Sequence, residues 1–132
     1  MRTNRSIPRS TVIPEIGYPD IGEAIDWLCD AFGFTLRIRI ADHRAQLNVG
    51  DAAVVLTNGS EPPRSVLVRV DDVDALCARA SQHGAPVVRP PADHPYGERQ
   101  CTLEDHAGHR WTFSQTIADV DPRDWGGIPG AL

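Results

Sequence analysis

Several features that identify common protein classes are absent from this sequence. Its three cysteines are an odd number without a Cys-x-x-Cys spacing, which argues against a zinc finger and against a disulfide scaffold. We interpret Cys29, Cys77 and Cys101 as small buried apolar side chains in a reducing cytosol. No apolar stretch approaches the ~20 residues that a membrane helix needs, so no membrane partner is expected.

An excess of positive charge is also missing. The formal net charge of −5 argues against nucleic acid as a partner and leaves a cationic ligand open. Arg2, Arg5 and Arg9 lie near the start of the chain, but no apolar segment follows them as it does in a signal peptide. A cytoplasmic location is therefore the expectation.

The common catalytic and cofactor motifs are absent as well. The sequence has no Gly-x-Ser-x-Gly nucleophile elbow, no Gly-x-Gly-x-x-Gly turn and no phosphate-binding Gly-x-x-x-x-Gly-Lys-Ser/Thr loop. What remains is a globular composition, with 41% hydrophobic and 23% charged residues. A chain of 132 residues fits one domain, so we expect a single core.

The first positive signal is a helix start at Asp20. Asp20 suits the N-cap position, and Glu23 three residues later gives the capping-box spacing. An apolar stripe follows at steps of three and four residues, and Gly33 provides a C-terminal stop. The stripe consists of Ile21, Ala24, Ile25, Leu28, Cys29 and Phe32.

Strand patterns flank this helix. An apolar stretch over residues 11–16 precedes it, and strand-like segments follow at residues 34–40, 44–49 and 52–57. The first unit is therefore predicted to run β-α-β-β-β. Residues 58–63 combine turn formers with two prolines, which is typical of a linker.

The same order of patterns then repeats. Residues 65–70 predict a strand, and Asp71 and Asp72 predict a helix start. The helix carries an apolar stripe and ends at His83-Gly84. Short strand patterns follow at residues 87–89, 99–103 and 109–114. The stripe consists of Val73, Leu76, Cys77 and Ala80.

Two such units together enclose a core that neither encloses alone. The predicted fold class is therefore α+β, built from two paired βαβββ modules. Trp125 in the tail either anchors it to the body or to a second subunit, or the tail is mobile. The predicted division is an N-terminal extension at 1–10, one domain at 11–115 and a tail at 116–132, with module one at 11–57, a linker at 58–64 and module two at 65–115.

Three segments carry a family resemblance in their order. Residues 16–34 contain Ile-Gly-Tyr-Pro-Asp, Ala-Ile-Asp-Trp-Leu and Ala-Phe-Gly-Phe, and residues 70–76 read Val-Asp-Asp-Val-Asp-Ala-Leu. Residues 96–113 contain Tyr-Gly-Glu-Arg and then Asp-His-Ala-Gly-His-Arg-Trp-Thr-Phe. The ordered set resembles the vicinal oxygen chelate superfamily of glyoxalases, bleomycin resistance proteins and dioxygenases. The resemblance implies a cupped mixed sheet around a cavity, with helices on the convex side.

The resemblance also implies where a metal would be held. Metal enzymes of this family take ligands from the first and last strands of each unit, which here correspond to Ile13, Ser65, Thr112 and one residue within 52–57. A divalent metal prefers imidazole, carboxylate or thiolate donors. None of these positions supplies one. We therefore expect no metal and no other cofactor, as in a metal-less glyoxalase-like subgroup.

Other donors are present elsewhere in the chain. Four ligand-type side chains cluster near its end, but their spacing fits no zinc motif, and we interpret them as polar turn residues plus a buried thiol. Alternation places Glu15 on the same strand face as Ile13. Four roles stay open for it there: binding a cationic ligand, acting as a base, pairing with an arginine, or being simply solvated. The four side chains are His94, Cys101, His106 and His109.

Strand alternation sorts the residues expected to line the cavity. If Thr112 faces inward, Arg110 does so too, while Trp111 packs under the helices. Tyr96 lies in a Pro-Tyr-Gly loop that is expected to cover the mouth of the cavity. The predicted ligand-binding residues are Ile13, Glu15, Ser65, Leu67, Arg69, Tyr96, Arg110 and Thr112.

The leading hypothesis is a metal-independent protein that binds a small, aromatic molecule and has no catalytic residue. Antibiotic sequestration, as in bleomycin resistance proteins, is one form of it. The alternative is a lyase or isomerase of the glyoxalase or dioxygenase type, with an unrecognised or non-metal site. A third hypothesis is an interaction module without a ligand. The resemblance also implies a homodimer, since family members commonly complete their cavities across a two-fold interface.

Overall fold

The computed structural model describes residues 2–132, and its elements repeat the order strand, helix and three strands. Each repeat forms one four-stranded mixed sheet: sheet A in the order β1-β4-β3-β2 and sheet B in the order β5-β8-β7-β6. In each sheet the first strand is parallel to the last, and the other pairs are antiparallel. These features confirm the predicted α+β class of paired βαβββ modules. The elements are β1 Glu15–Tyr18, α1 Ile21–Phe32, β2 Thr35–Ile40, β3 Arg44–Val49, β4 Ala52–Asn58, β5 Ser65–Arg69, α2 Val73–Gln82, β6 Val87–Asp93, β7 Glu98–Glu104, β8 Arg110–Thr116 and a 3-10 turn Pro122–Trp125.

The helix ends follow the predicted capping signals. Asp20 Oδ1 accepts the backbone N–H of Glu23 at 2.9 Å, and Asp72 Oδ1 accepts that of Ala75 at 3.0 Å. Gly33 adopts a left-handed φ of 75° and donates its N–H to the carbonyl of Cys29. Helix α1 spans 12 residues, and no helix in residues 2–132 is long and apolar enough to cross a bilayer.

Two strands differ from their predicted bounds at positions where proline occurs. Strand β1 begins after Pro14, whose carbonyl accepts the N–H of Val55 but which has no N–H of its own to donate. Strand β6 continues through Pro90 and Pro91, where the sequence suggested a loop. It tolerates them because β6 is an edge strand with an irregular register, so the prolines remove few ladder bonds.

One apolar core joins the two modules on the helix side of both sheets. The ring of Phe32 at the end of α1 lies 4.9 Å from that of Phe113 and 5.7 Å from that of Trp111, both on β8. Trp111 is fully buried, which confirms its predicted place under the helices. Cys77 and Cys101 are buried in the same core, as predicted, whereas Cys29 is only partly buried at its edge.

A buried carboxylate ties module one to module two. Asp105 is 3% exposed and accepts hydrogen bonds from Tyr18 Oη at 2.5 Å and Trp111 Nε1 at 3.0 Å. It also accepts the backbone N–H groups of Ala107 and His109. Burial and the neighbouring carboxylate raise the pKa of Tyr18, so its phenol keeps the proton that it donates. We call these five residues the Asp105 network.

The buried His109 makes a second link between the modules. Its Nδ1 accepts the backbone N–H of Arg64 at 2.9 Å, so its Nε2 carries the proton and donates to the carbonyl of Gly17 at 2.8 Å. The N–H of Gly17 donates to Glu61 Oε1 at 2.6 Å. The outer edge of β1 is thus closed by side chains from the linker and from module two.

Replacing Tyr18→Phe tests the Asp105 network. The change keeps the ring and removes one donor to a buried charge, so the free energy of unfolding should fall by about 1.5–3 kcal/mol. Urea denaturation at neutral pH measures it. Tyr96→Phe is the matched control, because it removes a single bond to Gln100 at a partly exposed site and should change stability less. An equal loss in the two variants would contradict the special role of Tyr18.

The thiol of Cys101 makes stability depend on alkaline pH. Burial, with Cys77 beside it, raises the pKa of Cys101 to about 12. The folded protein therefore holds this proton where the unfolded chain, with a thiol pKa of about 8.5, releases it. This contribution to stability is complete below that pH and is lost as the pH rises toward 12. Urea denaturation across this window should show a shallower decline for Cys101→Ala than for the wild type, and equal slopes would refute the assignment.

Candidate functional site

Each sheet has one face packed on the helices and an opposite face, which we call its open face. The strand register pairs Glu15 with Val55 in sheet A and Leu67 with Thr112 in sheet B. The two open faces therefore carry equivalent positions. The equivalence identifies Val55 as the member of the 52–57 window that corresponds to Thr112.

The donor set at the four family ligand positions does not fit a divalent metal. Ile13 and Val55 are aliphatic, and Ser65 offers only a hydroxyl. The Thr112 hydroxyl is engaged with that of Thr102 at 2.7 Å. Residues 2–132 also contain no group of three or more His, Cys, Asp or Glu side chains placed to hold an ion. No chemical step through a metal follows from these residues.

The four ligand-type side chains near the chain end occupy separate environments. His94 stacks on Tyr96, whereas His106 stacks on Tyr18 with ring centroids 5.4 Å apart. Cys101 is a buried core thiol, as expected. The interpretation as a polar turn residue is wrong for His109, which is 1% exposed because its ring bonds backbone groups of both the linker and β1.

Glu15 is an exposed member of an ion pair. Its Oε1 lies 3.0 Å from Arg44 Nη2; the Glu15 side chain is largely exposed to solvent and that of Arg44 is partly exposed. Of the roles left open by the sequence, pairing with a neighbouring arginine is the one present here. An ion pair this exposed contributes little to stability.

The open face of sheet B holds a cavity of about 290 Å³. Its floor is formed by Gln100, Thr102 and Thr112, and Tyr96 stands beside it. Tyr96 Oη donates to Gln100 Oε1 at 2.9 Å. Arg89 lies at the rim and forms no salt bridge within residues 2–132. The cavity is therefore polar at the floor and cationic at one edge.

An aromatic wall borders this cavity. The rings of His94 and Tyr96 stack with centroids 5.1 Å apart and planes inclined by 9°. Tyr96 also contacts Trp125, with ring centroids 5.3 Å apart and planes inclined by 57°. The tail reaches this position because the N–H groups of Ile117 and Ala118 donate to the carbonyl of Gly97. Trp125 thus anchors the tail to the body of the same chain.

A chain of hydrogen bonds runs beneath the wall. Gln100 Nε2 donates to Ser114 Oγ at 3.0 Å, and Ser114 Oγ donates to Glu98 Oε1 at 2.7 Å. Hydrogen bonds from Thr116 and Ser114 lower the pKa of Glu98, so it is a carboxylate at neutral pH. Gln100, Ser114 and Glu98 are absent from the predicted ligand-binding set, although alternation from Thr112 predicts Ser114 on this face and alternation along β7 from Thr102 places Gln100 and Glu98 there.

The predicted ligand-binding residues are distributed over several surfaces. Tyr96 and Thr112 line the 290 Å³ cavity, whereas Leu67 and Arg69 line a cleft of about 570 Å³ between β5 and residues 49–54 of module one. Ile13 borders the N-terminal extension. Ser65 and Arg110 are exposed, and Arg110 Nε lies 3.7 Å from a Glu104 oxygen. Their contact with a ligand stays a prediction.

The fold and motifs match those of known proteins. A profile described as the Glyoxalase/Bleomycin resistance protein/Dioxygenase superfamily matches residues 12–113. The chain belongs to this superfamily. This result confirms the family resemblance identified from the ordered sequence motifs.

Solved structures of the superfamily share this architecture. TioX from Micromonospora sp. ML1 is 32% identical with a TM-score of 0.73, and the alignment covers 85% of this chain and 100% of TioX. A glyoxalase/bleomycin resistance protein from Streptomyces sp. CB03234 is 28% identical with a TM-score of 0.68, covering 80% and 100%. A lactoylglutathione lyase from Agrobacterium tumefaciens, 16% identical with a TM-score of 0.69 and coverages of 82% and 94%, shares the fold alone.

Curated relatives from mycobacteria match part of the chain. Uncharacterized proteins of Mycobacterium bovis and Mycobacterium tuberculosis are each 32% identical over 89 residues, or 67% of this chain. The matched segment spans 57% of the Mycobacterium bovis protein and 51% of the Mycobacterium tuberculosis protein. The chain therefore spans about half the length of these relatives.

The donor chemistry of this superfamily member predicts weak metal binding. Hydroxyl and aliphatic side chains at Ile13, Val55, Ser65 and Thr112 give a divalent ion no strong ligand. After incubation with Zn²⁺, Ni²⁺, Mn²⁺ or Fe²⁺ and desalting, elemental analysis should find well below one ion per chain. One retained ion per chain that disappears in His94→Ala would contradict this and identify a site outside the family positions.

Proposed function

We propose that this superfamily member is a metal-independent small-molecule binding protein whose ligand occupies the open face of sheet B. The observation that carries the proposal is the 290 Å³ cavity, with its aromatic wall and its hydrogen-bonded floor. Small-molecule sites are commonly concave, with apolar or aromatic walls and a few fixed polar groups. The family donor set, which lacks metal ligands, favours binding over metal-assisted catalysis.

The wall and rim favour a planar ligand with an acceptor group. The stacked rings of His94 and Tyr96 offer a flat surface to an aromatic ring. The guanidinium of Arg89 has no acidic partner within residues 2–132 and can donate to a carbonyl or carboxylate of the ligand. An aromatic antibiotic fits this description, and sequestration of such a compound in the cytoplasm is the biological role that we propose.

A homodimer is part of the same proposal. The cavity on sheet B is lined by module two alone, and a second copy would add walls to it. Apolar side chains near the edge strands support such a contact, because Val12 is 76% and Leu67 is 66% exposed. A two-fold pairing would cover both in each copy.

Calorimetry against a panel of planar aromatic antibiotics tests the proposal. A compound that binds the wild type should bind Tyr96→Ala about tenfold or more weakly, because the stacking surface is lost. His94→Ala should weaken binding as well. His43→Ala, which removes an exposed imidazole from the β2–β3 turn, is the matched control and should bind as the wild type does.

Two outcomes would overturn the proposal. A panel compound whose affinity is unchanged in Tyr96→Ala would bind elsewhere, and a folded wild type that binds none of the panel would remove the aromatic ligand class. Light scattering on the same samples measures the mass in solution, and a monomer would refute the dimer.

A further inference from the structure

The open face of sheet A is already covered by the chain itself. Residues 5–10, which we call the N-terminal strap, cross this face, and Pro8 is buried there. Ala53 and Val55 on the open face are 3% and 4% exposed, yet neither belongs to the core on the helix side. The strap is what shields them from solvent.

The strap is held through its main chain. Arg37 Nη2 donates to the carbonyls of Arg5 at 3.0 Å and Ile7 at 3.2 Å. Gln46 Nε2 donates to the carbonyl between them, that of Ser6, at 3.0 Å. Arg37 Nη1 also donates to Gln46 Oε1 and thereby fixes the orientation of the amide. Two side chains thus contact three consecutive peptide carbonyls.

The side chains of the strap contribute little to these contacts. Arg5 and Ser6 are exposed, and Ile7 is 51% exposed, so recognition is of the backbone followed by one compact apolar ring. Gln46 is only 5% exposed, and a buried amide requires a partner. Any occupant of this face must therefore supply carbonyl oxygens where the strap now does.

We propose that the open face of sheet A is a binding site for a peptide in a turn conformation, filled in cis by the N-terminal strap, whose residues 5–7 form a turn and a bend. The ligand class is a peptide with three consecutive free carbonyls followed by proline or a similarly compact apolar residue. Arg37 and Gln46 bind the carbonyls, and the surface around Ala53 receives the ring. The site is separate from the cavity on sheet B, so the proposal does not depend on the ligand proposed there.

The strap has few contacts that would prevent its displacement by another peptide. It carries no ladder hydrogen bonds, and one buried residue, Pro8, anchors it. A cavity of about 180 Å³ remains between residues 8–10 and the sheet, so the fit is incomplete. Segments with few buried contacts open at low free-energy cost. A peptide in trans can therefore compete once the anchor is weakened.

The test uses the full chain and a fluorescein-labelled peptide with the sequence of residues 2–10. Pro8→Asp places a charge at the buried anchor position and should release the strap. By fluorescence anisotropy, this variant should bind the peptide about tenfold or more tightly than the wild type, whose site is filled. Pro63→Asp, at an exposed linker proline, is the matched control and should behave as the wild type does.

A second substitution separates recognition from release. Arg37→Met in the Pro8→Asp background should abolish peptide binding, because two of the three carbonyl contacts come from that guanidinium. Arg39→Met in the same background should preserve it, since Arg39 bonds Ala41 and Asp42 in the β2–β3 turn. Binding that survives Arg37→Met overturns the site.

Tryptic cleavage after Arg5 and Arg9 reports the strap independently of the peptide. Cleavage should be slow in the wild type and faster in Pro8→Asp at an unchanged thermal unfolding midpoint. Equal cleavage rates in the two proteins would show that the strap is not docked and would refute the proposal. Fast cleavage in Pro8→Asp without peptide binding would refute it as well. Loss of aromatic-ligand binding in Tyr96→Ala leaves all these readouts unchanged.

Discussion

The charge of Asp105 can be buried only because both modules contribute donors to it. Its own turn supplies two backbone N–H groups, Trp111 supplies a third donor and Tyr18 of module one supplies the fourth. A buried carboxylate without such partners costs several kcal/mol, in the range of about 3–5 when one partner is removed. Correct docking of module one is thus a condition for stable folding of the closing turn in module two. In turn, the hydrogen bond from His109 of module two to the carbonyl of Gly17 helps to hold strand β1 of module one in place.

This docking decides what the open faces can do. The helix sides of both sheets meet in one core, and the two open faces carry different chemistry at equivalent positions. Val55 is aliphatic and covered, whereas its equivalent Thr112 is a hydroxyl in a cavity floor. Without metal donors at the family positions, the two faces do not cooperate on one ion. One face is then filled by the chain, and the other is left open.

Local sequence signals predict the helices, turns and most strands of this fold. The features that they do not predict depend on contacts between residues far apart in the sequence. The caps at Asp20 and Asp72 and the turn starting at Asp105 are set by residues within a few positions. The bond from Tyr18 to Asp105 spans 87 residues and has no local signature. The docking of the strap could not be predicted from the sequence either, because the strap is bound through backbone carbonyls, which every residue has. Alternation along β7 also predicts which of its residues face the cavity, but the positions implied by the family resemblance lie on or beside strands β1, β5 and β8.

The polarity of the cavity on sheet B follows from a single charge. Glu98 is a carboxylate and can only accept, so Ser114 donates to it and must accept from Gln100. The amide of Gln100 is thereby oriented with its oxygen toward Tyr96, which donates its proton to it. The Tyr96 oxygen then offers an acceptor to the proposed ligand, while Arg89 at the rim offers a donor. A ligand of this cavity therefore needs a hydrogen-bond donor at one end of its ring system and an acceptor at the other, a stricter requirement than aromaticity alone.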